Sequence, residues 1–258
     1  MIDIGANLTH DSFNKDRTRV IDDAIKAGVT TMVVTGSNED CSRKAYDLTQ
    51  EYSDCLISTV GIHPHHASEY TGETEELILE LIQHDEVVAI GETGLDYFRD
   101  ISPREAQLFS FEQHIKLAIQ TKAPLFLHQR DAHEDFFAII KEYRNQLSDL
   151  VVHCFTDNKK ALFDYIDLDC HIGITGWICD ERRGLHLREL VTNIPDNRLM
   201  IETDSPYLIP RDLKLKTRRN EPKNLAHIAQ VVSQLKGVEL NKFIETTRLV
   251  TQKFFNVF

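Results

Sequence analysis

The sequence predicts an α/β protein, a single (β/α)8 TIM barrel over residues 1–258 with an extra C-terminal helix. Three observations predict it. Short apolar runs alternate with amphipathic stretches almost without exception, as parallel βα units do. The runs come to eight, and 258 residues suit one such barrel, typically ~250 residues long. No Gly-rich dinucleotide fingerprint follows the first run, which weakens the alternative of an open sheet.

The elements follow in chain order. Residues 2–5 form the first strand; helix 15–27 follows and Gly28 stops it. Strand 31–35 leads to Asn38-Glu39-Asp40, a helix start, and helix 39–52. Strand 56–60 precedes helix 73–84, and strand 87–91 precedes helix 103–121, with Pro103 in its first turn. In that helix Ala106, Phe109, Ile115 and Ala118 are expected to form the buried stripe, with Glu105, Gln107, Glu112 and Lys116 elsewhere. Strand 124–128 precedes helix 132–147. Strand 150–153 leads through Thr156-Asp157-Asn158 into helix 158–166. Strand 171–175 precedes helix 182–192, and strand 198–202 precedes helix 222–235. Helix 239–256 is the C-terminal addition. With no linker, low-complexity tract or repeat beyond this alternation, one domain is the economical reading.

Composition excludes several classes. No apolar run approaches the ~20 residues of a membrane span. The N-terminus lacks the basic region and apolar stretch of a signal peptide. Five Cys form no CxxC pair and leave one over, which suits reduced thiols in the cytoplasm. A net charge of −12 argues against broad affinity for duplex DNA. A nuclease remains possible, because a divalent ion and a few Arg make one pocket locally positive. Such an enzyme grips few phosphates, which favours strand ends.

The chemistry gathers at the ends of the runs. Glu92 ends the fourth, His128 the fifth, His153 the sixth, and Asp204 follows the eighth. Carboxylate and imidazole are ligands for Mg2+, Mn2+ or Zn2+. In a parallel barrel these ends share one rim, where such barrels carry their active sites. The same rim receives Asn7, the Gly61-Ile62-His63-Pro64-His65 turn, Arg130 and Thr175-Gly176-Trp177. His63 and His65 are candidates for phosphate contact, and for His63 also acid assistance to the leaving oxygen; His65 and His66 can equally be solvated loop residues. Arg130 either clamps a phosphate or pairs with Asp131 or Asp96. Trp177, the single Trp, either stacks a base or packs under the rim. Arg182-Arg183 and Arg218-Arg219 are either backbone contacts or salt-bridged surface. Glu202 either supports the ligands or fills the barrel interior. Cys154, next to His153, is expected to point to the opposite side of its strand, buried and inert.

At AIGETGLDY (89–97) the pattern becomes specific, together with GIHPH (61–65), HQRDAHEDF (128–136), HCFT (153–156), GITGWICDERRG (173–184), IETDSPYL (201–208) and RRNEP (218–222). Over essentially its whole length the chain resembles the TatD-type metal-dependent deoxyribonucleases, a branch of the amidohydrolase-like barrels. Within the branch it is most similar to magnesium-dependent 3′→5′ exonucleases of single-stranded DNA and RNA. The resemblance implies a metal-activated water attacking a phosphodiester, strand ends as substrate, and a place in DNA repair. It implies Glu92, His128 and His153 as ligands of one ion. It implies Asp204 as base and as ligand of a second position, which Glu92 shares. No obligate protein partner is evident, and a monomer is expected.

One departure matters. Where most relatives carry His-x-His after strand one, this chain has Gly5 and Asn7. Gly5 offers no ligand, and Asn7 only a neutral carbonyl oxygen. One metal position is therefore weakened toward a labile, oxygen-rich Mg2+ site. Restoring His at both positions is expected to tighten it toward Zn2+ or Mn2+. Two rivals stay open: ester or amide hydrolysis on the same rim, such as D-aminoacyl-tRNA deacylation, and a noncatalytic binding barrel.

Overall fold

A computed structural model describes residues 1–215 and 217–257. Eight parallel strands lie in one sheet in chain order. They are β1 (Ile2–Ala6), β2 (Thr31–Val34), β3 (Leu56–Val60), β4 (Val87–Asp96), β5 (Leu125–Arg130), β6 (Leu150–Val152), β7 (His171–Ile174) and β8 (Leu199–Ile201). The ring closes at the β8–β1 seam. Ala6 bridges Ser205, Asp204 N donates to Gly5 O at 2.8 Å, and Asn7 N donates to Ser205 O at 2.7 Å. Asp3, fully buried, adds a side-chain staple: its carboxyl accepts from Thr203 N at 2.9 Å and meets Thr203 Oγ1 at 2.6 Å. Burial raises Asp3 to about 8, against the lowering effect of Thr203. The carboxyl is thus largely protonated at neutral pH.

The outer ring is α1 (Arg17–Lys26), α2 (Glu39–Glu51), α3 (Gly72–Leu81), α4 (Arg104–Thr121), α5 (His133–Tyr143), α6 (Lys159–Asp167), α7 (Leu185–Leu190) and α8 (Leu225–Lys236). Local chemistry fixes their ends. Asn38 accepts from Cys41 N and Asn158 from Ala161 N, capping α2 and α6. Thr71 and Thr74 form a capping box on α3. Gly28 after α1 and Gly237 after α8 take positive φ, 87° and 65°, as helix stops do.

Two apolar layers result. Inside the barrel, Ile4, Val33, Val88, Ala89, Phe126, Val151 and Met200 pack together. The added helix α9 (Leu240–Phe255) extends this cluster with Phe254 and Phe255. Phe254 meets His171, the first residue of β7, at 4.9 Å, so α9 plugs the floor and leaves the other mouth free. Between strands and helices the core is continuous, with Phe111 stacked on Phe136 at 5.2 Å.

Three expectations need correction. β4 runs on to Asp96, because Gly94, Leu95 and Asp96 pair with His128, Gln129 and Arg130 of β5. α7 begins only at Leu185, because the Asp180 carboxylate binds Arg182 N and Arg183 Nε and holds 181–184 as a turn. On α4 the stripe is rotated. Phe109 is exposed, whereas Gln107 is buried, accepting from Asp96 N at 2.8 Å and donating to Ser102 O at 2.8 Å.

Candidate metal centre at the barrel mouth

The middle of β4 supplies the centre's focus. Glu92 is buried, and its Oε1 lies 2.9 Å from His128 Nδ1 of β5 and 2.7 Å from His153 Nε2 just past β6. His63 Nε2 stands at 3.4 Å from the same oxygen. Burial alone raises a carboxylate, but the imidazoles of His63, His153 and His128 outweigh it and hold Glu92 well below its usual range. Burial likewise opposes charge on His128 and His153. Asp96 and Glu92 nevertheless raise His128, and Glu92 and Glu202 raise His153 well above normal. Protons thus balance the Glu92 carboxylate where a cation fits. Among the described residues His128 Nε2, which is buried, has no hydrogen-bond partner; it lies 3.6 Å from Asp96 Oδ2. Donor atoms of His63, Glu92 and His128 lie within 4.8 Å of one another. An anionic oxygen flanked by ring nitrogens, beside a His128 whose far nitrogen is orphaned, fits a divalent ion.

His63 has a different part from the other imidazoles. Its Nδ1 accepts from His65 N at 3.1 Å, which leaves the ring proton on Nε2, facing Glu92. Burial pushes His63 down to about 3, Glu92 opposing and His128 adding to the effect. A neutral ring that presents N–H is a hydrogen-bond donor rather than a ligand. His65 Nε2 meets Asp96 Oδ2 at 2.8 Å, so it is not a solvated loop residue. His66 pairs with exposed Glu69.

Asp204, at φ 51° on the β8–β1 seam, is held by Asn7, whose Nδ2 donates to Oδ1 at 2.9 Å. Burial raises Asp204 to about 7, with Glu92 and Glu202 adding to it and His153 opposing. A carboxylate so raised is a better proton acceptor near neutrality. Asp204 and His153 both fall outside the donor trio of His63, Glu92 and His128; His153 joins the site through its 2.7 Å contact with Glu92 Oε1.

Glu202 lies in the barrel interior and also meets His153. It is fully buried; Oε2 lies 3.2 Å from His153 Nδ1 and Oε1 accepts from Cys154 N at 2.5 Å. A carboxylate on Nδ1 aims the opposite nitrogen at a metal. Its cradle is made by two glycines. A Cβ at Gly5 would stand 2.5 Å from Glu202 Oε2, and one at Gly173 2.6 Å from Oε1. The expected benefit of His at position 5 is therefore corrected: Glu202 fills that space. Cys154 is also corrected. β6 ends at Val152 and Cys154 has φ 47°, so strand alternation does not reach it. Cys154 is only partly buried as a residue; burial of its thiol first, then the charges of Asp204, Glu202 and Glu92, raise that thiol well above normal, so it stays protonated among the site carboxylates.

Arg130 pairs with neither acid proposed for it; its guanidinium lies 3.9 Å from the Phe98 ring centroid. Arg183 stands 4.4 Å from the Trp177 centroid. Arg219 is committed to Asp16 and Glu221. Sequence reasoning missed Asp96 as a site residue: its Oδ2 meets His65 Nε2 at 2.8 Å and stands 3.6 Å from His128 Nε2. With the apolar run broken before it, only the pairing of β4 with β5 brings it to the site.

A family model described as TatD related DNase matches residues 2–256. A 3′-5′ ssDNA/RNA exonuclease TatD of Erwinia tasmaniensis is 45% identical over 259 residues, covering 100% of each chain. The Escherichia coli protein of the same name is 44% identical, covering 100% of this chain and 99% of that one. Among solved structures, a TatD family hydrolase from Entamoeba histolytica superposes with a TM-score of 0.90 at 29% identity, over 100% of this chain and 98% of the other.

Proposed function

The chain belongs to the TatD related DNase family, and on that footing we propose a divalent-metal-dependent 3′→5′ exonuclease that hydrolyses phosphodiester bonds of single-stranded DNA and RNA. One observation carries the reading: a single buried oxygen, Glu92 Oε1, shared by His128 and His153. Glu92, His128 and His153 would hold the ion. Mg2+ is the proposed ion, and Mn2+ and Zn2+ also suit the imidazoles. When bound, the ion makes water more acidic and draws charge from the phosphoryl oxygens.

The chain's own groups do the rest. Asp204, oriented by Asn7, takes the proton of the attacking water. His63 Nε2–H donates to a phosphoryl or leaving oxygen. Glu202 fixes the His153 ring, and Asp96 holds His65. We also propose a cytoplasmic monomer. All five cysteines are unpaired, and one chain closes the ring and supplies the whole site. Among the described residues no helix is long and apolar enough to cross a membrane.

Single strands labelled at the 5′ or the 3′ end, incubated with Mg2+ or a chelator and resolved by length, test the reading. Metal-dependent shortening from the 3′ end is expected, with a closed single-stranded circle left intact. Equal rates on circle and linear strand would refute an exonuclease. Wild-type turnover by folded Glu92→Gln, His128→Ala or His153→Ala would remove the metal assignment.

A further inference from the structure

Beside the metal centre lies a cleft of about 610 Å³, within the size of small-molecule sites. We propose that it is a nucleobase subsite, taking the base of a nucleotide whose phosphate sits at Glu92, His128 and His153; the phosphate's placement rests on the nuclease reading above.

The cleft wall is a row in which rings and guanidinium groups alternate. Arg130 lies 3.9 Å from the Phe98 centroid and 5.8 Å from that of Trp177, and Arg183 lies 4.4 Å from Trp177. Phe98 is 55% exposed, so packing does not account for its position. Flat rings and planar guanidinium groups are the surfaces on which bases stack. The row is also in the right place. Arg130 lies two residues beyond His128 on β5, roughly 7 Å along the strand, within reach of one nucleotide. Thr156 and Asp157, which line the same cleft, follow His153 by three and four residues.

Charge selects the base over the phosphate. Arg130, Lys159 and Arg183 are matched by Asp131, Asp157 and Glu189, so the cleft carries no surplus positive charge to trap an anion. A neutral planar heterocycle is the ligand it suits. Recognition by ring face reads neither base identity nor the 2′-hydroxyl, which accords with a site that accepts both DNA and RNA.

Trp177 is the only Trp in the chain, so its fluorescence reports on this cleft alone. With Mg2+ present, adenosine 5′-monophosphate is expected to change that fluorescence saturably, and ribose 5-phosphate to leave it unchanged. Equal responses to both, or none to the nucleotide, would overturn the proposal. In turnover, Trp177→Ala is expected to raise KM for a single strand about 10-fold, the scale of one base stacked on a ring, with kcat little changed. Trp177→Phe should restore most of the loss. A strand ending in abasic nucleotides should show the same rise in KM on the wild-type enzyme, a measurement that does not depend on how the variants fold. An unchanged KM for the abasic strand would overturn the subsite while leaving the nuclease intact. A nucleotide-dependent fluorescence change without any strand shortening would support the subsite and refute the nuclease.

Discussion

Gly5→Ala adds one methyl group at the barrel mouth, and the structure makes it costly. The added Cβ would stand 2.5 Å from Glu202 Oε2 and 3.4 Å from Phe126 Cζ. The first distance is about 1 Å inside the usual contact range. Glu202 cannot swing away freely, because it is fully buried and both oxygens are engaged, with His153 Nδ1 and with Cys154 N. Overpacking costs about 1–3 kcal/mol. Displacing the carboxylate adds about 1–3 kcal/mol for groups left unpaired. A loss of roughly 2–4 kcal/mol in urea unfolding is therefore expected, because the clash relaxes partly through that displacement. His153 would lose the partner that aims it, so metal affinity by titration calorimetry should fall about 10- to 100-fold. In a Glu202→Ala background the clash has no target, and Gly5→Ala should cost little. Equal costs in both backgrounds, or unchanged metal affinity, would refute the account of Glu202. By the same geometry Gly5→His with Asn7→His builds no second metal position until Glu202 is shortened.

Three further outcomes are expected. Asp204→Asn keeps the hydrogen-bonded shape at Asn7 but removes the base, so turnover should drop about 10²- to 10⁴-fold while metal still binds by calorimetry; wild-type turnover would remove Asp204 as base. Adding Mn2+ at pH 7 in weak buffer should release protons, because His153 and His128 are raised by their carboxylates and a cation replaces those protons; a pH indicator that shows no release would contradict this. The third concerns His114, whose Nε2 accepts from Ile62 N and whose Nδ1 meets Ser110 O. Burial lowers His114 to about 4, with the Ser110 bond opposing. The unfolded chain therefore takes up a proton that the fold refuses. Its contribution is full above the unfolded pKa of about 6.5 and is lost as pH falls toward 4, by about 2 kcal/mol at pH 5. Comparing wild type with His114→Gln in urea at pH 7 and pH 5 isolates this loss, and identical pH dependence in the two proteins would refute it.

What the sequence could and could not disclose follows from the range of each interaction. Strands were legible because a buried parallel strand must be apolar along its length, and β1 to β8 fall on the eight apolar runs. Glu92, His128 and His153 were legible because they terminate such runs, and the closed ring brings those ends together. The end of β4 was not legible: Thr93 and Gly94 break the apolar run, and only pairing with β5 carries the strand to Asp96. The rotation of α4 was hidden for the same reason, since Gln107 is buried to serve Asp96.

Glu202 shows where single-strand reasoning stops. Alternation along β8 puts its side chain inside the barrel, and it says nothing about what lies there. The answer sits on the two neighbouring strands, as side chains that are missing: Gly5 on β1 and Gly173 on β7. Read alone, Gly5 is a lost ligand and suggests a weakened site. Read with Gly173, it is the room that admits a buried carboxylate behind His153. The same glycine that offers no imidazole at the end of β1 thus admits the carboxylate that meets His153 Nδ1. Loss and gain are coupled through one space: a Cβ at position 5 would stand 2.5 Å from Glu202 Oε2, so the departure at position 5 makes room for the carboxylate that holds His153 beside Glu92.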